Sequence, residues 1–240
     1  MTVKSNKLVD ELFAVGAHYG YSKSKRHPSI KNNIYTNKDG IDIIDLEKTA
    51  EAVEKVKKKI VNIIRKGGKV ILVGNKAEIR DYIPEVTKDN RSVFYVNNRW
   101  IGGTLTNFEE IQKRIKKLAL LIKDAETGAF SKYTKKEILK KEKEIEKLKK
   151  YYEGLLNLYD KPKLLIVVDS DEEKIAVQEA NKNNIPVVSI SNTDNDITDI
   201  KFPIVANDRS RQTIKKILDE IFSGLNFSKR DFSKKGKNEK

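Results

Sequence analysis

Asp169 and Asp171 directly follow an apolar run, Lys163-Leu164-Leu165-Ile166-Val167-Val168. At the carboxyl end of a buried strand, paired aspartates could hold Mg²⁺ and the diphosphate of a sugar nucleotide. The same residues also suit capping, since Ser170 or Asp171 would accept the first free amides of a helix beginning at Glu172. Gly74-Asn75-Lys76 likewise follows a strand-like run and precedes a helical pattern, where amides and an ammonium could receive an anion. One glycine and one lysine equally describe an ordinary turn, and neither G-x-G-x-x-G nor G-x-x-x-x-G-K-[ST] occurs. Thr193-Asp194-Asn195-Asp196 is acidic, but in residue types that loops favour. His18 and His27 are nine positions apart, without the spacing of a helical metal pair or a third ligand, so no metal site is expected. Cysteine is absent, which removes disulfides, zinc ribbons, iron–sulfur clusters and thiol nucleophiles. No catalytic residue and no cofactor emerge from these patterns.

The elements that would carry these residues alternate. Apolar runs of strand length occur at 69–74, 92–96, 163–169, 186–190 and 202–205. Between them, Leu46–Lys66 carries Ala50, Val53, Val56, Ile60 and Ile64 at helical spacing and ends at Gly67-Gly68. Helices are also predicted over Lys76–Lys88, Glu172–Asn183 and Arg209–Phe222, with a short helix or turn over Leu8–Gly16. This predicts a doubly wound α/β domain, flavodoxin-like or Rossmann-like, with a mostly parallel sheet and helices on both faces. Ahead of it, Asp39-Gly40 between apolar runs at 34–35 and 41–44 signals a hairpin. The segment from His18 to Asn33 reads as a loop too polar to bury itself.

Residues 107–160 break the alternation. Ile111, Ile115, Leu118 and Ile122 form one narrow stripe, and Ile138, Ile145, Leu148, Tyr152 and Leu155 form a second. Thr127-Gly128 separates them, which predicts an inserted antiparallel coiled-coil hairpin over 107–160. The α/β body would comprise 1–106 and 161–222, followed by a low-complexity basic tail, 223–240, expected to be disordered. The N-terminal stretch has acids within its apolar residues, so no signal peptide is expected, and no run approaches the ~18 apolar residues of a membrane span.

The chain has 49 basic and 35 acidic residues, a net charge of +14. Such an excess points to a polyanionic partner, most commonly nucleic acid. Forty of the basic residues are lysine, and 19 asparagines accompany them, a bias towards AT-rich codons that inflates the total. Position carries more information. Tyr19–Lys38 holds five basic residues and no acid, 109–161 holds fifteen against ten, and 229–240 holds six against two. These segments account for the whole net charge, leaving the rest of the body neutral on balance. Clusters in loops suit phosphate-backbone contact.

One string is more specific. Asn98-Arg99-Trp100-Ile101-Gly102-Gly103-Thr104-Leu105-Thr106-Asn107-Phe108 sets the only Trp beside an Arg, a glycine pair allowing close backbone approach, and a Thr/Asn run suited to capping the next helix. It closely resembles the R-W-[LI]-G-G-[TM]-L-T-N-[FW] signature of the bacterial-type small-subunit ribosomal protein S2 family. Leu12–Gly20, ending His18-Tyr19-Gly20, resembles that family's N-terminal signature. Gly40–Thr49 resembles its G-I-x-I-I-D-L-x-K-T block, and Pro162–Ala180 with Ile185-Pro186 resembles its second signature. Asn207-Asp208 and the closing helix match its C-terminal region, so the resemblance spans roughly residues 8–222. Two places depart from it. Many members read H-F-G-H where this chain has His18-Tyr19-Gly20-Tyr21, and R-W-N-P where it has Lys25-Arg26-His27-Pro28.

The resemblance implies an α/β body with an inserted coiled-coil hairpin and a non-enzymatic, cytoplasmic role on the ribosome. It implies binding of small-subunit rRNA on the solvent side where head and body meet. It also implies docking of neighbouring ribosomal proteins, including the mRNA-binding protein S1 in bacteria that have it. The rRNA-binding candidates are Lys23, Lys25, Arg26 and Lys31 in the N-terminal loop. Arg99, Lys113, Arg114, Lys116 and Lys117 are candidates at the hairpin root, and Arg209 and Arg211 at the last helix. Their contacts would position the protein rather than read bases. Trp100 and Tyr19 could stack on a base or pack internally. The rivals are a nucleotide-sugar or Mg²⁺-dependent enzyme using Asp169 and Asp171, and a protein–protein adaptor working through the hairpin.

Overall fold

A computed structural model describes residues 3–225 of the chain. The expected basic tail lies almost wholly outside the described residues. In chain order the first half contains α1 (Val3–Ala14), β1 (Tyr19–Ser22), β2 (Ile34–Lys38), β3 (Ile41–Ile44), α2 (Leu46–Arg65), β4 (Val70–Val73), α3 (Tyr82–Thr87) and β5 (Val93–Val96). The second half contains α4 (Phe108–Glu126), α5 (Lys135–Tyr152), β6 (Leu164–Val168), α6 (Lys174–Lys182), β7 (Val187–Ser191), β8 (Phe202–Val205) and α7 (Arg211–Phe222).

Five strands form a parallel sheet in the order β5-β4-β6-β7-β8. Each central strand is apolar throughout because both faces are covered, and alternate residues serve opposite cores. Val70, Leu72, Leu164, Ile166 and Val168 pack beneath α1, α2, α3 and α7. Ile71, Val73, Leu165 and Val167 pack beneath α4, α6 and Leu155. The order reverses between β4 and β6, so the crevice at their carboxyl ends is where a sheet of this kind would bind a ligand.

A second sheet, antiparallel in the order β1-β3-β2, sits beside the first. Asp39 (φ 51°) and Gly40 (φ 80°) make the tight turn between β2 and β3. The expected polar loop over 18–33 is more ordered than its composition suggests. Tyr19–Ser22 pairs with β3, short 3₁₀ turns cover Lys23–Lys25 and Pro28–Asn33, and Ile30 is buried against Ile44 and Val205. That pairing is non-local, so local residue types do not announce it.

Helix α1 begins at Val3 rather than Leu8, and three later helix starts also differ from expectation. Only Tyr82–Thr87 is helical within 76–88, because Pro84 lacks an N–H and restricts the residue before it, so it is tolerated only in a first turn. Helix α6 begins at Lys174 rather than Glu172, since Asp169 accepts from the Asp171 and Glu172 amides (3.0 and 3.2 Å) and holds them in a turn. Neither Ser170 nor Asp171 caps α6, which has no side-chain cap; Asp169 instead holds the turn that precedes it. Helix α7 begins at Arg211, where Ser210 accepts from the Thr213 amide.

Residues 108–152 supply two consecutive helices, α4 and α5, linked through Gly128 (φ 71°) and a capping box between Thr134 and Glu137. Ile111, Ile115 and Leu118 of α4 are buried with Tyr152, and Ile145 and Leu148 of α5 pack against the same cluster. Among the described residues, no helix is long and apolar enough to cross a membrane.

Candidate functional site

The crevice between β4 and β6 is filled by side chains of the chain itself. Lys76 Nζ lies 2.8 Å from Asp169 Oδ2 and 2.6 Å from Asp208 Oδ2. Asn195 donates to Asp169 (2.8 Å) and Asn192 donates to Asp208 (3.1 Å). Lys76 is therefore committed to two carboxylates, and Asp169 to an ammonium. Gly74 is needed for packing, since a Cβ there would come within 2.5 Å of Ile83 Cδ1.

Two carboxylates share one ammonium. Burial opposes the charge on Lys76, yet its hydrogen bonds to Asp169 and Asp208 outweigh that and hold its pKa above the usual lysine range. Burial raises both carboxyls. At Asp169 the Lys76 ammonium overcomes it and the pKa falls, whereas at the more enclosed Asp208 burial prevails and the pKa rises. Glu173 and Asp194 are also raised, chiefly by burial. This end of the crevice is acidic, which disfavours a phosphate at Gly74-Asn75-Lys76.

Glu173 yields a pH-dependent prediction. Burial pushes its carboxyl up to about 7, opposed by one hydrogen bond from the Asn75 amide at 3.0 Å. Because the folded pKa is the higher one, the protonated group's contribution is full below the unfolded value of 4.5 and is lost as pH rises through about 7. Glu173→Gln is expected to stabilise the fold by about 2–3 kcal/mol near pH 8 and by much less near pH 4.5. Thermal unfolding at the two pH values tests this, and an equal gain at both would sink it.

The N-terminal basic segment lies over the carboxyl ends of β7 and β8. Tyr21 N donates to Thr193 Oγ1 (2.8 Å) and His27 N to Thr193 O (2.8 Å). Lys23, Lys25 and Lys31 are exposed. Arg26 is not free. Its Nε donates to Asp42 Oδ2 at 2.6 Å and its Nη2 to Oδ1, while Asn37 adds a bond to Oδ1 at 2.8 Å. Asp42 has 0% exposure, and the Arg26 guanidinium holds its carboxyl below the usual range against the opposing effect of burial. An arginine that sequence reading offers to phosphate is thus engaged with a buried carboxylate. Tyr21 brings distant cations together, with Arg209 Cζ 4.6 Å and Lys25 Nζ 5.7 Å from its ring centroid. Arg211 is exposed nearby, on the first turn of α7.

The loop that leads into α4 follows the carboxyl end of β5, at the opposite edge of the sheet. Trp100 is 4% exposed and packs with Phe94, Leu105 and Phe108, so of its two expected roles it takes the internal one. Its Nε1 reaches Glu179 at 3.4 Å. The same carboxylate accepts from the backbone amides of Gly103 (2.6 Å), Leu105 (2.9 Å) and Thr106 (3.2 Å). Gly103 has φ +93°, a conformation that side chains resist, and this turns its amide inward. Asn107 precedes α4 without a side-chain cap. The signature loop is held by an acid from α6 instead. Glu179 was not among the candidate residues, although it could have been found. It shares a helical face with Ala176 and Ala180, and an acid at a core position requires buried donors.

Arg99 before this loop and Lys113, Arg114, Lys116 and Lys117 on α4 are exposed. Lys113 pairs with Glu110 and Lys117 with Glu144, whereas Arg114 lines a groove of about 370 Å³ with Ile101, Gly102 and Tyr151. The predicted cations thus form two groups at opposite edges of the sheet, with the acidic crevice between them.

The fold is that of a doubly wound α/β protein, with an internal ion pair in the crevice between β4 and β6 and cationic segments at the edges of the sheet. The family model described as Ribosomal protein S2 matches residues 12–226. The chain belongs to the ribosomal protein S2 family, whose members are structural constituents of the small ribosomal subunit and act in translation.

Proposed function

We propose that this protein binds small-subunit rRNA through the two cationic edges of its α/β body, at the head–body junction on the solvent side. The observation that carries this reading is the gathering of Lys25 and Arg209 on the Tyr21 ring. It joins the acid-free N-terminal segment to the start of α7 in one basic surface. Lys23, Lys25, Lys31, Arg209 and Arg211 contact phosphates there, and Arg99, Arg114 and Lys116 do so at the hairpin root. Lys113 and Lys117 must exchange their glutamate partners for phosphate. Arg26 acts indirectly, by holding the segment to β3. The division into a body (1–106 and 161–222) and an arm (107–160) follows the same logic. The α4–α5 pair works as an antiparallel coiled-coil arm that docks neighbouring proteins, including S1 where it exists.

Salt titration tests the RNA contacts. Each phosphate contact adds about 0.7–0.9 to the slope of log affinity against log salt. Replacing Lys23, Lys25 and Lys31 together with Ala is expected to reduce that slope for small-subunit rRNA by about 2. An unchanged slope would remove the loop from the interface. Arg26→Ala should instead lower the unfolding midpoint, because it strands the Asp42 carboxylate.

A further inference from the structure

Three rings beside the N-terminal basic segment are assigned to none of these contacts. His18 lies between Phe13 and Tyr19, 4.5 Å from the first at an interplanar angle of 15° and 4.1 Å from the second at 40°. Both outer rings face solvent, Phe13 at 63% exposure and Tyr19 at 52%. An aromatic ladder left open on a lysine-rich surface is unusual, since exposed apolar patches in soluble proteins commonly mark interaction sites. The middle ring is also costly to keep. Burial lowers the pKa of His18 and keeps it neutral, and its Nδ1 is buried without a hydrogen-bond partner.

The surroundings say what the ladder fits. Tyr19 opens the segment that holds five basic residues and no acid. Gly16, whose added Cβ would sit 3.5 Å from the Tyr19 ring, receives a bond from Asn207 Nδ2 to its carbonyl. Asn207 Oδ1 in turn accepts from the Arg209 amide at 3.1 Å. These links place the ladder beside the Arg209–Tyr21 stack. On α1, Glu11 is taken up by Lys7 and Lys216. Flat neutral rings next to cations match a nucleic acid with its bases unpaired, each base stacking while its phosphate meets a charge.

We propose that Phe13, His18 and Tyr19 form a stacking site for an unpaired nucleotide of RNA, with Arg209 and Lys25 positioned to contact its flanking phosphates. The inference rests on the RNA-binding reading above and deepens it, since it adds base stacking to a surface otherwise argued from charge. Phe13 supplies the outer face, and His18 fixes the orientation of both outer rings.

The test uses the full chain and a single-stranded hexanucleotide of uridines with one central 2-aminopurine. Binding should quench the 2-aminopurine emission. Phe13→Leu and Tyr19→Leu are each expected to weaken binding about tenfold without changing the salt slope. Neither should lower the unfolding midpoint by much, because both rings are mostly exposed. Arg209→Gln should reduce the slope and leave the quench at saturation intact. Unaltered affinity and quench in Phe13→Leu and Tyr19→Leu would overturn the proposal. An equal loss on an abasic hexamer would also overturn it, by showing that charge alone is read. Loss of a neighbouring protein from small subunits with unchanged RNA affinity would reassign the patch to protein docking. If wild type binds small-subunit rRNA with a steep salt slope while the ring variants behave normally, only the stacking site fails. If wild type binds neither RNA, the RNA-binding reading fails with it.

Discussion

Glu179→Ala is expected to destabilise the protein by about 4 kcal/mol, lowering its unfolding midpoint by roughly 10 °C. The carboxylate is 7% exposed and accepts from three backbone amides and the Trp100 indole. A buried donor left without a partner costs about 1–3 kcal/mol. Water can reach Gly103 and Thr106, which are partly exposed, but not the Leu105 amide. The exposed Thr106 hydroxyl is a fifth donor, at 3.3 Å, that water can also reach, so the total falls below the sum of five full penalties. Glu179→Gln keeps the volume but turns one acceptor into a donor, so an intermediate loss of about 2 kcal/mol is expected. Trp100 is the only tryptophan, so its emission during urea unfolding reports on this loop directly. A loss below about 1 kcal/mol in Glu179→Ala would show that the loop is held by other contacts. A lowered midpoint should be accompanied by poorer incorporation into small subunits, because α4 starts from this loop.

Lys76→Met is the second large effect. It leaves a buried Asp208 and a half-buried Asp169 without their shared cation, which should cost about 3–5 kcal/mol near neutral pH. The cost is pH-dependent. In wild type, the lowered pKa of Asp169 contributes stability at neutral pH that is lost as pH falls through the folded value. The raised pKa of Lys76 contributes stability below the ordinary lysine value, lost only at strongly alkaline pH. In the variant both carboxyls should titrate upward, so protonation relieves them on acidification. The gap between the two proteins should accordingly narrow as pH falls from 8 towards 5. Urea unfolding at both pH values measures it. A deficit that is small and constant with pH would mean that water already solvates the crevice.

Much of the α/β body is legible in local sequence. Strands buried on both faces read as unbroken apolar runs, as at Leu164–Val168, and amphipathic helices read as a stripe, as at Val53, Val56 and Ile60. The Asp39-Gly40 turn was equally plain. Pairing between distant segments was not. Strand β1 joins β3 by backbone bonds that carry little side-chain signature, and Ile30 is a lone apolar residue among polar neighbours. The truncated α3 could have been read from Pro84, whose missing N–H outweighs the helical spacing around it.

For the site, the sequence determined which residue types were available: cations concentrated in the N-terminal segment, residues 109–161 and the tail, no cysteine, no phosphate-binding loop, and a signature string around Trp100. Tertiary structure alone decided which were spoken for. Arg26 is engaged with Asp42, Lys76 with Asp169 and Asp208, and Trp100 with Glu179, whereas Lys25 and Arg209 converge on Tyr21. The physical reason is range. Propensity and hydrophobic periodicity act over a few residues, so they are written locally. The partner of a charge is whichever group the folded backbone brings within about 3 Å, and that group can come from anywhere in the chain.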